Sequence, residues 1–256
     1  MHKSYEVPAI ARAFDVLEYL FRKKEATFTS IHVELGLPKS SAYNILATLE
    51  ARGYIRRLGQ EGNYGLGLRL FELGNVAAAR IDIRKEALPF LRELAAKTNQ
   101  TCHLGVLDET EGVYMEKVES TRPVIMNSWL GKRLSLHSTS IGKTLLAWQN
   151  PVKLEQILNK IVLHRYTDKT ITEPEELRKH LQIVKEQGYA LDNEENEPEI
   201  RCVAGPVWDI SRGVIAAISI SGLTTQMTDE RLPELVTELK DATQRLSHYF
   251  GSSSRF

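Results

Sequence analysis

Residues 28–53, FTSIHVELGLPKSSAYNILATLEARG, constrain the fold more than any other stretch, because they read as two short helices joined by a Gly-Leu-Pro turn. Thr29 is placed to cap the first helix by offering its hydroxyl to orphan N–H groups. Ile31 and Leu35 share one apolar face, and Gly36 ends the helix. Pro38 suits the start of the second helix, where Ala42, Ile45, Leu46 and Leu49 follow the i, i+3, i+4, i+7 spacing of a buried stripe. Lys39, Ser40, Ser41, Tyr43, Asn44 and Thr48 point the other way, and Gly53 supplies a C-terminal stop.

Two amphipathic helices alone would suit a plain helical hairpin, but the flanking sequence favours a reader of DNA. Residues 54–58 are strand-like, 59–63 form a turn cluster, and 64–66 return as a second strand. This is a two-stranded wing. Ahead of the pair, Ile10, Ala13, Phe14, Leu17, Leu20 and Phe21 line one face of a helix over residues 8–22. Three helices and a wing make a winged helix-turn-helix. Ser40, Ser41, Tyr43 and Asn44 are then placed to touch base edges, Asn suiting adenine. Lys39, Arg56 and Arg57 are placed for phosphates. Thr29 and Thr48 complete the set assigned to DNA.

At 256 residues the chain is long enough for two domains. Its net charge is zero, with 33 basic and 33 acidic residues. Residues 1–69 nevertheless hold ten basic side chains against seven acidic ones, so the positive excess lies where phosphate contacts are needed. A symmetric dimer would present that excess twice and read two half-sites. Two cysteines are too few for a secreted disulfide scaffold, no signal peptide pattern opens the chain, and no apolar run reaches a membrane span. The expectation is a cytoplasmic protein that makes no membrane contact.

After the wing, residues 68–80 read as a helix apolar on several sides, with Leu70, Leu73 and Ala77 on one and Phe71 and Val76 on others. Such a helix is usually covered, and its place between domains assigns it to dimerisation. Ile83, Ala87, Leu91, Leu94 and Ala95 mark another helix. Strands are expected at 102–107, 113–118, 124–129, 202–208 and 214–221, with helices at 140–148, 151–160, 174–187 and 229–250. Strands and helices in mixed order indicate an α+β domain around an antiparallel sheet. The division is therefore 1–67 for the winged helix, 68–82 for the linker helix and 83–256 for the second domain.

The whole chain resembles the IclR family of bacterial transcription regulators. Its specific match is GYALDNEENEPEIRCVAGPVWD, in which Gly188, Asp192, Glu195, Cys202, Val203, Ala204, Val207 and Asp209 stand at the spacing of the family signature. LGKRLSLHSTSIGKTLLAW looks like the ligand-domain motif and PKSSAYNIL like the recognition helix. Trp208 stands where Phe or Tyr is usual and Gly205 where Ala is common, which bears on the shape of the pocket more than on the fold. Within the family, YALDNEEN and TCHLGVLD are closest to regulators of sugar-acid catabolism.

The resemblance implies a GAF-like effector domain that binds a small carboxylate, a sugar acid or a keto acid, together with a double-stranded operator and a homodimer or homotetramer. Repression is its more frequent mode, with activation as the alternative. Ser138, Thr139, Ser140 and Ile141 would then form a carboxylate cradle at a helix N-terminus. Asp192, Cys202, Ser219 and Ser221 match the family's pocket positions, and alternation puts both serines on one strand face. His137 reads as a rim residue or a satisfied structural histidine.

Other chemistries fit less well. IGKTLL mimics the end of a phosphate loop, but His137 stands where that loop needs glycine. No Gly-x-Ser-x-Gly elbow is present and nothing local activates Cys202, so no catalytic residue is assigned. Asp192, Glu194, Glu195, Glu197 and Glu199 cluster near Cys202 without zinc spacing, so neither a metal nor a cofactor is expected. A different class of function is a ligand-responsive protein-interaction module without DNA readout.

Overall fold

The computed structural model describes residues 7–59, 62–79, 82–120 and 126–251, with the side chains of residues 75–79 and 82 left aside. The chain divides into two compact units, residues 1–81 and 82–256. Gln60, Glu61, the side chains of Val76 and Ala77, Arg80, and residues 124–125 of the expected third strand lie outside the described residues.

The first unit runs α1 (Pro8–Lys23), β1 (Glu25–Ala26), α2 (Phe28–Glu34), α3 (Lys39–Ala51), β2 (Ile55–Leu58), β3 (Asn63–Leu66) and α4 (Leu68–Ala79). The wing is a three-stranded antiparallel sheet in the order β1-β3-β2, since Glu25 and Ala26 pair with Gly65 and Tyr64. A two-residue strand leaves no alternation to read, so β1 had no signature in the sequence.

That strand also corrects the cap of α2. Thr27, in extended backbone immediately after β1, accepts the Ser30 N–H at 3.1 Å through its hydroxyl. Thr29 already lies inside the helix and is exposed. Gly36, with φ of 61°, turns the chain out of α2, and Pro38 is the residue before the first turn of α3.

The expected apolar face of α1 is corrected in part, since its Leu20 is buried and its Ala13 and Leu17 pack against the core. Val16, Tyr19 and Leu20 are buried, whereas Ile10, Phe14 and Phe21 stand 54%, 60% and 58% exposed. Apolar residues cover more than one stripe of this helix, and its packing on α3 and β3 selects one of them. The unit's core joins Val16 and Leu20 to Ile31, Ala42, Leu46 and Ile55.

The second unit comprises α5 (Asp82–Thr98), β4 (Thr101–Asp108), β5 (Glu111–Val118), β6 (Arg133–Leu134), α6 (Ser140–Ala147), α7 (Pro151–Leu158), α8 (Pro174–Gln187), β7 (Ala190–Asn193), β8 (Ile200–Trp208), β9 (Val214–Leu223) and α9 (Leu232–Tyr249). Among the described residues six strands form one antiparallel sheet in the order β6-β5-β4-β9-β8-β7. The strand expected at 124–129 does not form over 126–129, and the short β6 occupies that edge instead. There the Ser128 hydroxyl bonds the His103 ring, the Ser128 carbonyl accepts from Lys117, and the Ser128 N–H turns back onto the Met126 carbonyl at 2.7 Å.

Alternation along the central strands feeds two cores. Val203, Ala216 and Ile218 face α5 and α9, while Ala204 and Ala217 face α6 and α8. The sheet is therefore covered on both faces, and a one-residue slip in register would exchange the two sets.

On the α6 side small residues allow close approach. A Cβ on Gly142 would stand 2.4 Å from the Ser135 carbonyl oxygen and 2.5 Å from the Leu136 Cα, both backbone atoms. Gly142→Ala is therefore expected to cost ~1–3 kcal/mol as overpacking, read as a lowered urea midpoint with an unchanged m-value. An unaltered midpoint would show that the α6 contact relaxes freely.

Candidate functional site

In the first unit, α3 presents Lys39, Ser40, Tyr43, Asn44 and Thr48 as exposed side chains, with Ser41 half-buried. Tyr43 is 62% exposed although its neighbours Ala42 and Leu46 are fully packed. The Thr48 hydroxyl donates to the Asn44 carbonyl at 2.7 Å. Arg57 is already engaged, because its guanidinium donates to Glu50 at 3.2 Å and to the Tyr64 hydroxyl at 2.9 Å. Arg56, on the opposite parity of β2, is exposed. The wing thus holds one arginine in place and leaves the next facing outward.

In the second unit the sheet register assembles a polar row. Asp192 on β7 pairs with Cys202 on β8, and Cys202 pairs with Ser221 on β9. Ser219, two residues along, lies between Ala204 and His103. Directly paired residues share a face, and this is the face on which α6 packs. The N-terminus of α6 closes over the row, so that Thr139, Ser140 and Ile141 join Asp192, Cys202, Ser219 and Ser221 around one cavity of about 40 Å³.

Thr139 caps α6, its hydroxyl accepting the Gly142 N–H at 3.0 Å while donating to the Ser135 carbonyl at 2.6 Å. The N–H groups of Ser140 and Ile141, in the first turn, have no intrahelical acceptor. A helix start with such groups suits an anion.

Ser138 lies elsewhere. It is fully buried and donates to the Asn196 Oδ1 at 2.9 Å, which ties the helix start to the loop after β7 instead of lining the cavity. His137 is likewise structural, with its Nδ1 against Ser135 Oγ at 3.0 Å and its Nε2 against the His164 carbonyl at 2.9 Å.

Several wall residues carried no flag in the sequence, His103, Tyr114, Asn127 and Asn196 among them, and Glu197 was weighed there only as part of the acidic cluster. His103 Nε2 lies 2.9 Å from Ser128 Oγ and its ring centroid 5.0 Å from that of Tyr114. Strand parity separates His103 from Cys102 and Leu104, yet only pairing with Ser219 brings it to the cavity. Tyr114, Asn127, Thr139, Asn196 and Glu197 also wall a second, outer chamber of about 380 Å³, bounded further by Lys132, Arg133, Ser135 and Tyr166.

Behind the cavity lies a buried ion pair. Lys143 on α6, with no exposed surface, donates to both Glu195 oxygens at 2.5 and 2.6 Å. Glu195 also accepts the Asn193 N–H, and its own N–H donates to Asp192 Oδ1 at 2.8 Å. Other parts of the acidic run are engaged as well: Glu194 meets Lys169 at 2.5 Å, and the Glu195 carbonyl accepts from Thr170 at 2.6 Å. Among the described residues no three His, Cys, Asp or Glu side chains converge as a metal site.

Burial pushes the Asp192 carboxyl up to about 7, against the opposing pull of Lys143. The same burial holds His103 down to about 3 and raises the Cys202 thiol, with Asp192 adding to the latter. A neutral imidazole and a protonated thiol are groups for binding rather than for nucleophilic attack.

Comparison with known proteins agrees with both halves. The IclR helix-turn-helix domain matches residues 9–59, and the C-terminal domain of the bacterial transcriptional regulator IclR matches residues 76–248. The chain belongs to the IclR family of transcriptional regulators. The HTH-type transcriptional regulator XynR of Escherichia coli K12 is 41% identical over 96% of this chain and 98% of its own. The transcriptional repressor IclR of the same organism is 28% identical, covering 96% and 91% of the two chains. A crystal structure of an IclR homologue complexed with 4-hydroxybenzoate, from Microbacterium hydrocarbonoxydans, superposes with a TM-score of 0.84 at 27% identity, covering 96% of this chain and all of that one. This IclR-family chain is accordingly a DNA-binding regulator of transcription with an effector-binding C-terminal domain.

The ion pair yields a stability prediction. Glu195→Ala leaves an unpartnered ammonium in the core of the effector domain and is expected to cost ~3–5 kcal/mol, whereas Lys143→Met with Glu195→Leu recovers most of that. Denaturant unfolding of the three proteins checks it, and equal losses in single and double variants would contradict it.

Asp192 predicts a pH effect of the opposite kind to a surface carboxylate. Its folded pKa lies above the unfolded value, so the folded state holds the proton longer, and stability is lost as pH rises from about 4 through about 7. Asp192→Asn removes that loss, raising stability by up to ~4 kcal/mol at pH 8 and leaving it unchanged near pH 4. Thermal melts at the two pH values decide it; a variant equally shifted at both would count against burial as the cause.

Proposed function

We propose that this regulator is a cytoplasmic repressor, acting as a homodimer or a dimer of dimers, whose hold on a pseudo-palindromic operator is released by a sugar acid. The observation that carries the effector assignment is the pair of chambers sharing Tyr114, Asn127, Thr139, Asn196 and Glu197. A carboxylate fits the inner end, where Ser140 and Ile141 offer N–H groups and Ser219 and Ser221 offer hydroxyls. The hydroxylated remainder of the acid extends into the outer chamber toward Asn127, Asn196 and Ser135. A two- or three-carbon keto acid would occupy the inner end alone and leave the outer polar groups to water.

The DNA assignment rests on the exposed polar face of α3. Ser40, Ser41, Tyr43 and Asn44 read base edges there, Lys39 and Arg56 hold phosphates, and Thr29 and Thr48 flank the contact. Arg57 acts mainly by bracing the wing, given its bonds to Glu50 and Tyr64. The apolar side chains left exposed on α1 and at the start of α4, Phe14 and Phe71 among them at 60% and 67%, suit a homodimer contact. The repressor name of a relative favours repression, and no described helix is long and apolar enough to cross a membrane.

Ligand control then amounts to a coupling free energy of about 1–3 kcal/mol between effector and operator. Gel-shift titration with DNA from upstream of the chain's own gene tests the proposal. Asn44→Ala is expected to relax sequence preference by ~1–3 kcal/mol, while Arg56→Ala weakens all DNA alike and lowers the salt slope by about one. Ser219→Ala with Ser221→Ala should blunt release by sugar acids without touching operator affinity. Failure of the wild type to prefer its upstream DNA over random DNA would instead favour a protein-interaction module.

A further inference from the structure

The inner chamber sets an electrostatic condition on any acid that enters it. Asp192 forms part of its wall and is only 3% exposed. Asp192 Oδ1 is taken, accepting the N–H groups of Glu195 at 2.8 Å and Asn196 at 3.3 Å. Oδ2 accepts no hydrogen bond among the described residues and is left for the chamber. An effector carboxylate seated at the start of α6 would share a space of about 40 Å³ with it. Two carboxylates enclosed together do not both stay ionised; one of them keeps a proton.

Inside the inner chamber the charges around Asp192 offer no escape from this, since Lys132 and Arg133 line the outer chamber and not the inner one. From α6, Lys143 is the one cation close by, and both Glu195 oxygens already engage its ammonium. From the loop after β7, Glu195 and Glu197 bring negative charge, the former acting on Asp192 and the latter on Tyr114 and Cys202. Cys202 on β8 and Tyr114 on β5 are neutral, since burial raises both thiol and phenol. His103 on β4 is neutral too, held down by burial and by Lys117. The row from β9 contributes only serines.

Resting on the effector assignment above, we propose that Asp192 enters the complex in its protonated form and donates its Oδ2 proton in a hydrogen bond to the acid, so that wherever the free protein holds Asp192 ionised each effector anion bound brings one proton with it. No covalent bond changes; the balance is protein, anion and proton to complex. Burial, by holding Asp192 up to about 7, makes that proton available near neutral pH. Above that pH the bound acid must draw a proton from solvent, and its affinity falls about tenfold per unit. The regulator would thereby read acid and proton together, responding to an acid most readily when the interior acidifies.

The test combines calorimetry with infrared spectroscopy on the full chain. D-gluconate, D-galactonate, pyruvate and glyoxylate are titrated in two buffers of different ionisation enthalpy, from about pH 6 to about pH 9. The expected result is uptake of close to one proton per acid at the alkaline end, a Kd that rises about tenfold per unit there, and a protonated-carboxyl stretch in the complex. Asp192→Asn, which keeps a donor, should bind with a flat pH profile and lack that stretch, while Asp192→Ala binds weakly at every pH. An acid that binds the wild type at the alkaline end without proton uptake, or an Asn variant that keeps the pH slope, overturns the inference and leaves the effector assignment standing. No binding of any of the four acids removes that assignment and the inference with it. The wild-type proton count decides the matter even if neither variant folds.

Discussion

Lys143 reaches no water, and its ammonium is tolerable there because both oxygens of Glu195 meet it at 2.5 and 2.6 Å. An ion pair so buried gains little net stability, since desolvation of two charges offsets most of their attraction. What it supplies is position. Glu195 belongs to the loop that follows β7, and pinning its carboxylate to α6 fixes that loop against the helix whose first turn closes the cavity. From this one contact follow the Glu195 and Asn196 N–H bonds to Asp192, the Ser138 bond to Asn196, and the Thr170 bond to the Glu195 carbonyl. The loop in turn sets Asn196 and Glu197 between the two chambers.

The same contact explains why the cavity is polar at all. The α6 face of the sheet is otherwise lined by Ala190, Ala204 and Ala217 packed on leucines. Where the α6 axis begins, the alanines give way to Asp192, Cys202, Ser219 and Ser221, and the helix presents backbone donors in place of side-chain methyls. A small polar space between a helix start and a sheet remains open only if something other than apolar packing holds the two apart. Here the Lys143–Glu195 pair and the Thr139 cap do so, both drawing on groups that would be costly to leave unpaired.

Much of this was legible in the sequence, and the reasons differ by element. The stripe of Ala42, Leu46 and Leu49 on α3 is local periodicity, so both the helix and its polar face could be read directly. The alternation of β8 and β9 likewise put Ser219 and Ser221 on one face before any pairing was known. The acidic run 192–199 had no such reading, because whether it is a solvated loop, a metal site or a buried brace depends on Lys143, some fifty residues earlier. The expected face of α1 holds only in its Ala13, Leu17 and Leu20 for a related cause: two adjacent stripes are apolar, and only contact with α3 and β3 buries Val16, Tyr19 and Leu20 in preference to Ile10, Phe14 and Phe21. The cap moved from Thr29 to Thr27 because a two-residue strand, invisible to any periodicity, ends just before it.

By itself the sequence determined the winged helix-turn-helix, its outward polar face, the α+β character of the second unit and the family to which the chain belongs. These rest on spacing within a few residues, where helix and strand geometry act without help from elsewhere. Tertiary structure decided which face of α1 is buried, that Arg57 is tied down while Arg56 is presented, that Ser138 braces while His103 lines, and that Asp192 sits beside no cation of its own. Each of these depends on a partner in another element of the fold, and burial, which sets the charge of Asp192, His103 and Cys202, exists only once the sheet, α6 and the loop have closed on one another.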